Sequence, residues 1–381
     1  MKAIDIIGAG IGGLTLAIAL KQRGIPVRVF EQAPELRAVG AGINLACNAM
    51  QVYKALGLRS QLEAVGHLCQ SMQVTDQHLH PLSNIDIQPF AQRFAVGNIA
   101  IHRAALQEVL AAQLSPDELH LGKKLVEMQE STAGVQLIFA DATQLRSQCV
   151  VGADGIHSVV RQQWFKQGEI RQTHQICWRG VAAMPLPSPF QGQLTECWGS
   201  GGRFGFVQVD AQRTYWFAVM RKSAGNNSVR RQQLIDTYRS FHPLITDILF
   251  TTPEDGIHEA PLADLTGLTS WHRGRVALIG DAAHATTPNL GQGACQAIED
   301  AWVLAHYIAE QENVERAFER FQRTRQAKVK QVVNTSWTVG QMAHWQNPLA
   351  IRLRNALMRM VPASVGAKQS ERIYTLEELT A

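Results

Sequence analysis

The first hydrophobic positions fall into two short runs separated by a stretch of helical spacing. Ala3-Ile4-Asp5-Ile6-Ile7 is short, β-rich and followed by glycines, the pattern of a buried strand. Ile11 to Arg23 carries Leu14, Ala17, Ile18 and Lys21 on one helical face, and Gly24 stops it. Val27-Arg28-Val29-Phe30 is a second strand. Together they make one βαβ unit, so a parallel sheet begins at the N-terminus.

Further along, Ile99 to Leu114 reads as a short strand followed by a helix, and Val135 to Phe139 and Cys149 to Gly152 read as strands. The period then changes. Arg203 to Val209 and Thr214 to Met220 alternate in steps of two across Asp210-Ala211-Gln212-Arg213, which predicts an antiparallel hairpin. Val276 to Ile279 returns to a buried parallel-type strand. Gln292 to Ile308 predicts a helix. Val314 to Val333 predicts a second, charged one with Ala317, Phe318 and Phe321 on its inner face.

Composition narrows the class. A chain of 381 residues suits two domains at roughly 150 residues each. With 46% hydrophobic and 18% charged residues it has ample material for a core, which excludes a disordered tail, a collagen-like fibre and a disulfide-stapled miniprotein. A net charge of +4 gives no electrostatic reason to expect nucleic acid as a partner. The six cysteines form no CxxC pair, so no metal site is expected and the composition suits a reducing compartment. Ile6 to Leu20 is nearly all apolar or glycine, but it lacks a cleavage site for a secretory signal. No other stretch reaches the roughly 18 to 20 apolar residues of a membrane span. The expectation is a cytoplasmic protein with no integral membrane segment.

Gly8-Ala9-Gly10-Ile11-Gly12-Gly13 contains GxGxxG at Gly8, Gly10 and Gly13, with a strand before it and a helix after it. The first glycine permits the tight turn, the second lets a pyrophosphate approach the backbone, and the third lets helix and strand pack closely. The helix N-terminus offers free N–H groups to the anion. Glu31 ends the second strand, where a carboxylate can accept from ribose hydroxyls and would repel a 2′-phosphate. The nucleotide is therefore NAD- or FAD-like.

Two later motifs separate those options. Val150-Val151-Gly152-Ala153-Asp154-Gly155 is a strand running into an Asp-Gly turn. Arg275 to His284 is a strand ending in Gly280-Asp281, and it leads through Pro288 and Gly291-Gln292-Gly293 into a helix. One Rossmann site for a dinucleotide needs no second glycine-rich helix start; an extended ligand with a sugar-alcohol chain and a ring system does. In this order the three motifs resemble the group A flavin-dependent aromatic hydroxylases, single-component FAD monooxygenases with the p-hydroxybenzoate hydroxylase fold. The resemblance spans residues 1 to 340. It includes Val39-Gly40-Ala41-Gly42-Ile43, His102-Arg103-Ala104-Ala105-Leu106 and Cys177-Trp178-Arg179-Gly180-Val181. The hairpin from Gly201 to Phe217 further resembles FAD-dependent urate and heteroaromatic hydroxylases.

The resemblance implies an α/β fold: a Rossmann-like FAD-binding domain, an interleaved antiparallel β-sheet substrate domain, and C-terminal helices. The expected division is 1–70, 97–168 and 270–340 for FAD, 71–96 and 170–265 for substrate, and 341–381 as a helical segment. By resemblance Gly8, Gly10 and Gly13 cradle the FAD pyrophosphate, and Glu31 with Gln32 holds the adenosine ribose. Arg103 reaches the phosphates, Leu125 lies by the adenine, and Asp154 contacts FAD and, transiently, the nicotinamide cofactor. Asp281 binds the ribityl side or pyrophosphate. Pro288, a catalytic candidate, lines the isoalloxazine with Gly291, Gln292, Gly293 and Ala294, and Asn44 lies on the flavin or substrate side. Relatives often carry proline where this chain has Cys47.

The implied chemistry is reduction of FAD by NADH or NADPH, uptake of O₂ as a flavin C4a-hydroperoxide, and hydroxylation of a small aromatic or heteroaromatic substrate. On the substrate side Arg203 and Tyr215 are expected to face each other across the hairpin, Arg203 holding an anion and Tyr215 exchanging a proton. Trp178, Trp198 and His284 are further pocket candidates. The competing readings are a related FAD oxidoreductase, such as a lipid reductase or halogenase, and a non-enzymatic flavin-binding regulator. A monomer or a homodimer is expected.

Overall fold

In the computed structural model residues 3–36, 41–131, 134–221 and 231–379 are described. The N-terminal strand Ile4–Ile7 is wholly buried and pairs in parallel with Val27–Phe30 on one side and Val150–Gly152 on the other. Val276–Leu278 extends the sheet in parallel, Leu119–His120 closes one edge and the antiparallel His272–Arg273 the other. Burial on both faces explains why these strands read as continuous apolar runs rather than alternating ones.

The helix Ile11–Lys21 is buried on nearly every side. It crosses the long helix Gly293–Glu310, and a Cβ on Gly12 would lie 3.1 Å from the Cβ of Ala297. Beside this layer sit two smaller antiparallel sheets. One comprises Gly42–Leu45, Asn98–His102 and Gly66–Cys69; the other, which the hydrophobic pattern shows only at Val135 to Phe139, comprises Leu125–Ser131, Gly134–Phe139 and Gln144–Ser147.

A seven-stranded sheet forms the second body, in the order His258–Thr266, Glu169–Ala182, Thr214–Arg221, Gly202–Gln208, Gln193–Trp198, Ser71–Asp76 and Pro81–Asp86. The expected hairpin is its centre. Ser71–Asp76 joins it through a parallel pairing with Gln193–Trp198, which binds the early hairpin Ser71–Asp86 into a sheet whose other five strands come later in the chain. The following helix, Gln88–Phe94, buries Phe90 in the larger core instead, so residues 88–94 do not share the sheet's packing.

The helix beginning at Val314 continues to Ala343, beyond the Val333 that its hydrophobic pattern indicated. Asn334 to Gly340 are weak helix formers. Tertiary contact overrides that preference. Ser336 Oγ donates to the Thr287 carbonyl at 2.6 Å, and a Cβ on Gly340 would meet Asn289. The C-terminal helices Pro348–Met360 and Ala363–Tyr374 follow, and Tyr374 is buried in the main core.

Candidate functional site

The three motifs converge on one groove between the Rossmann-like layer and the seven-stranded sheet. Its floor is Gly10-Ile11-Gly12, Ala153 with Gly155, and Ile279-Gly280-Asp281; its far wall is Cys177, Arg179, Leu194, Tyr215 and Phe217. It holds about 1420 Å³, counting the part open to solvent.

The three glycines of the loop have different surroundings. Gly8 has φ +107, and a Cβ there would lie 2.5 Å from the Ala153 carbonyl oxygen. A Cβ on Gly13 would lie 2.0 Å from the Gly8 carbonyl oxygen. These two are needed by the protein's own packing. A Cβ on Gly10 would meet nothing within 4 Å, so the space it leaves is groove and fits a ligand. The helix behind the loop starts at Gly10 with no side-chain cap and no acidic residue in its first turn, leaving its N–H groups for an anion.

Glu31 is tied to that loop: its carboxylate accepts from Ala9 N at 2.8 Å and Ala33 N at 2.9 Å. Gln32 is exposed beside it. Lys123 N donates to the Glu31 carbonyl at 2.7 Å, which brings the strand beginning at Leu125 to the same end of the groove. Asp154 accepts from Val160 N at 3.1 Å while its other carboxyl oxygen is buried without a partner. Burial pushes its carboxyl above the usual range, although hydrogen bonds from Ser158 and the backbone oppose this. Asn44 lines the groove with its own side-chain oxygen buried and unpartnered.

On the opposite side Asp281 opens to the groove at the start of a short helix. The surrounding walls raise its carboxyl pKa, and His284 and Arg103 act against that. Pro288 begins the turn Pro288–Leu290, and Gly291, with φ +62, hands the chain to the long helix. Pro288, Gly291, Gly293 and Ala294 line the groove. The orphaned oxygens of Asn44 and Asp154, the vacant side of Gly10 and two uncapped helix starts all suit a long, polar, phosphate-bearing ligand such as FAD.

Several expectations are corrected. Gln292 does not face the groove. It is buried, and its Oε1 accepts from Asn48 Nδ2 at 3.0 Å and Gln296 Nε2 at 3.1 Å. Arg203 and Tyr215 are not opposite each other, because the register pairs Arg203 with Val219 and Tyr215 with Val207. Nor is Arg203 free to hold an anion: it is 1% exposed, donates to Glu196 Oε1 at 2.9 Å, and contacts Asn289 Oδ1. It fastens the turn Pro288–Leu290 to the sheet. Trp178 and Trp198 are buried in the sheet and bonded to Glu259 and Glu196. His284 points away from the groove to Asp300, at 2.5 Å. Val39 and Gly40 lie outside the described residues.

Cys47 stands at the first turn of a helix, where proline is readily accommodated. Here its N–H donates to Asn98 Oδ1 at 2.8 Å, a bond that proline cannot make. Sequence reasoning also missed a buried ionic cluster beneath the groove. Arg325 binds Glu299 at 2.6 Å and Asp300 at 2.9 Å, and Lys328 binds Glu299 at 2.8 Å. Burial raises the Asp300 pKa, but His284 and Arg325 outweigh it and hold the carboxyl at about 2. The sequence signal for it is the Glu299-Asp300 pair set inside an otherwise apolar helical stretch. Among the described residues no group of side chains could hold a metal ion, and no helix is long and apolar enough to cross a membrane.

Known proteins agree with this geometry. The model of the FAD binding domain family matches residues 1–336. The chain is 35% identical to the aurachin C monooxygenase/isomerase of Stigmatella aurantiaca, with 93% of each chain covered. It is 33% identical to the 2-heptyl-3-hydroxy-4(1H)-quinolone synthase of Pseudomonas aeruginosa, over 97% of this chain and 96% of that one. The Klebsiella pneumoniae HpxO structure complexed with FAD and uric acid superposes with a TM-score of 0.88 at 25% identity, covering 98% of this chain and 96% of that one. The groove and these full-length likenesses leave one conclusion: the chain belongs to the FAD binding domain family and is an FAD-dependent monooxygenase of aromatic or heteroaromatic substrates.

Proposed function

We propose that this enzyme uses NADH or NADPH and O₂ to hydroxylate a quinolone-type heteroaromatic ring that carries an apolar substituent. The observation that carries the reading is the make-up of the groove wall: Ile43, Leu194 and Phe217 present apolar surface, with Tyr215 and Arg179 as the polar points among them. The 2-heptyl-3-hydroxy-4(1H)-quinolone synthase among the relatives supports the same substrate class.

Bound FAD supplies the electron- and oxygen-transfer chemistry. The free N–H groups behind Gly10 receive its pyrophosphate, and Arg103 offsets the phosphate charge. Asp281 accepts from the sugar-alcohol chain, and Glu31 with Gln32 serves the ribose. Leu125 would lie by the adenine, and Asp154 would meet the cofactors from the Asp-Gly turn. The uncapped N-terminus of the helix Gly293–Glu310 offers N–H groups to negative charge on the ring system, beside Pro288, Gly291 and Asn44. Tyr215 holds the substrate oxygen as a hydrogen-bond donor. Burial pushes its phenol pKa well up while Arg179 and Arg103 resist, so it stays protonated at neutral pH. The apolar wall excludes water from the reacting ring.

The test is a substrate panel on the flavin-loaded enzyme: alkyl quinolones, unsubstituted quinolones, urate and simple phenols. The expected outcome is the highest kcat/KM for NAD(P)H oxidation with alkyl quinolones. A preference for urate or phenols by more than tenfold overturns the assignment.

A further inference from the structure

The helix Pro348–Met360 carries an apolar crest that no other part of the described chain covers. Leu349 is 73% exposed, Leu353 60%, Leu357 53% and Met360 76%. Their spacing puts them on one helical face. Val361 and Val365, both more than half exposed, continue the surface beyond the helix. Single exposed leucines are ordinary, but a contiguous row marks a docking surface.

The crest is rigidly held. Asn347 caps the helix through Leu349 N and Ala350 N. Arg354, on the inner face, donates to the Met342 carbonyl at 3.0 Å and lies 5.2 Å over the Trp198 ring. Arg359 reaches the Pro81 carbonyl and pairs with Asp76 at 3.4 Å. The apolar residues are thus displayed by a well-anchored element.

Charge identifies what covers them. The helix holds Arg352, Arg354 and Arg359 and no acidic residue. Over residues 348–374 the sequence carries Arg352, Arg354, Arg359, Lys368 and Arg372 against a single acid, Glu371, a net +4, which equals the excess of the whole chain. Glu371 pairs with Arg93. Arg352 is exposed on the flank of the crest. Arg354 is buried and Arg359 pairs with Asp76, which leaves Arg352 as the exposed cation beside the crest. A second copy docked crest to crest would set it against an apolar row with no carboxylate on the helix to pair it. An anionic bilayer satisfies both the apolar row and the cationic flank.

We propose that the helix Pro348–Met360 lies in the plane of an anionic phospholipid surface, with Leu349, Leu353, Leu357 and Met360 in the acyl boundary and Arg352 at the headgroups. The helix lies on the membrane and does not cross it. The proposal stands whatever substrate the groove takes.

The experiment is flotation of the full, flavin-loaded chain with vesicles containing phosphatidylglycerol and, separately, with pure phosphatidylcholine vesicles. Wild type floats with the first, does so less at high salt, and does not float with the second. Arg352→Gln lowers the partition coefficient about fivefold, as expected for one basic residue near an anionic surface. The double change L353E/M360E abolishes flotation. Both variants keep their flavin absorbance and melting temperature. No flotation of wild type with either vesicle overturns the proposal, as does undiminished flotation of L353E/M360E. So does a dimer in analytical ultracentrifugation that L353E/M360E dissolves, since the crest then covers a second copy.

Discussion

Tyr215 keeps its place because position 42 is glycine: a Cβ there would lie 2.3 Å from the ring. Its ring is fixed, and its phenol remains protonated because burial outweighs the nearby Arg179 and Arg103. Tyr215→Phe therefore lowers substrate-stimulated turnover by about tenfold, the worth of roughly one hydrogen bond, and leaves flavin absorbance unchanged. Stopped-flow comparison of the two proteins checks this. His344 behaves differently. Burial first, then Arg203, push its imidazole down to about 4 against the opposing hydrogen bonds it donates to the backbone. The unfolded chain takes up that proton near pH 6.5, whereas the folded chain stays neutral until about pH 4. The stability this group contributes is whole above pH 6.5 and falls as pH drops toward 4, by up to about 3 kcal/mol. Urea midpoints measured between pH 7 and 4.5 should fall less steeply in His344→Gln.

At the scale of elements, the crossing of Ile11–Lys21 with Gly293–Glu310 is what brings the motifs together. Ala297 sits against both Gly12 and Gly280, whose added Cβ atoms would approach its own at 3.1 Å and 2.9 Å. Ala297→Leu overpacks the crossing, costs about 1 to 3 kcal/mol, and reduces flavin retained through purification. A variant that retains full flavin and wild-type melting temperature contradicts this account of the crossing. These elements were legible in the sequence because local signals agree: strand, glycines and helix in immediate succession, each with its own period. The end of the helix Val314–Ala343 was not legible. Ser336 and Gly340 look like helix breakers until the turn at Asn289 is packed against them. Gln292 was misplaced for a related reason. Its spacing identifies the loop, but only the fold shows that Asn48 and Gln296 draw its side chain inward.

Across the whole molecule, chain order and spatial order diverge. Ser71–Asp86 and Glu169–Thr266 share a sheet, and Tyr374 returns to the core built by the first helices. The sequence motifs show that distant segments meet, since three cofactor signatures must serve one ligand. They do not show register, and register is what separates Arg203 from Tyr215. Arg203 looked like an anion holder because neither Glu196 nor Asn289 is near it in a way the hydrophobic pattern records. A ligand that bridges the two bodies stabilises their union. Removing the flavin should lower the melting temperature, and adding it back at 100 times its Kd should restore about 2.7 kcal/mol, as differential scanning calorimetry can measure. An unchanged melting temperature means that FAD does not bridge the groove.

The most direct measurement of the central claim is the mass of the product formed under isotopically heavy oxygen gas. The purified yellow enzyme is given an alkyl quinolone and NADH or NADPH, and nicotinamide oxidation is followed beside product mass. The account predicts substrate-stimulated oxidation and a product that gains one oxygen atom carrying the heavy label. Oxidation that yields only hydrogen peroxide with every ring tested, or a product whose new oxygen comes from water, contradicts it.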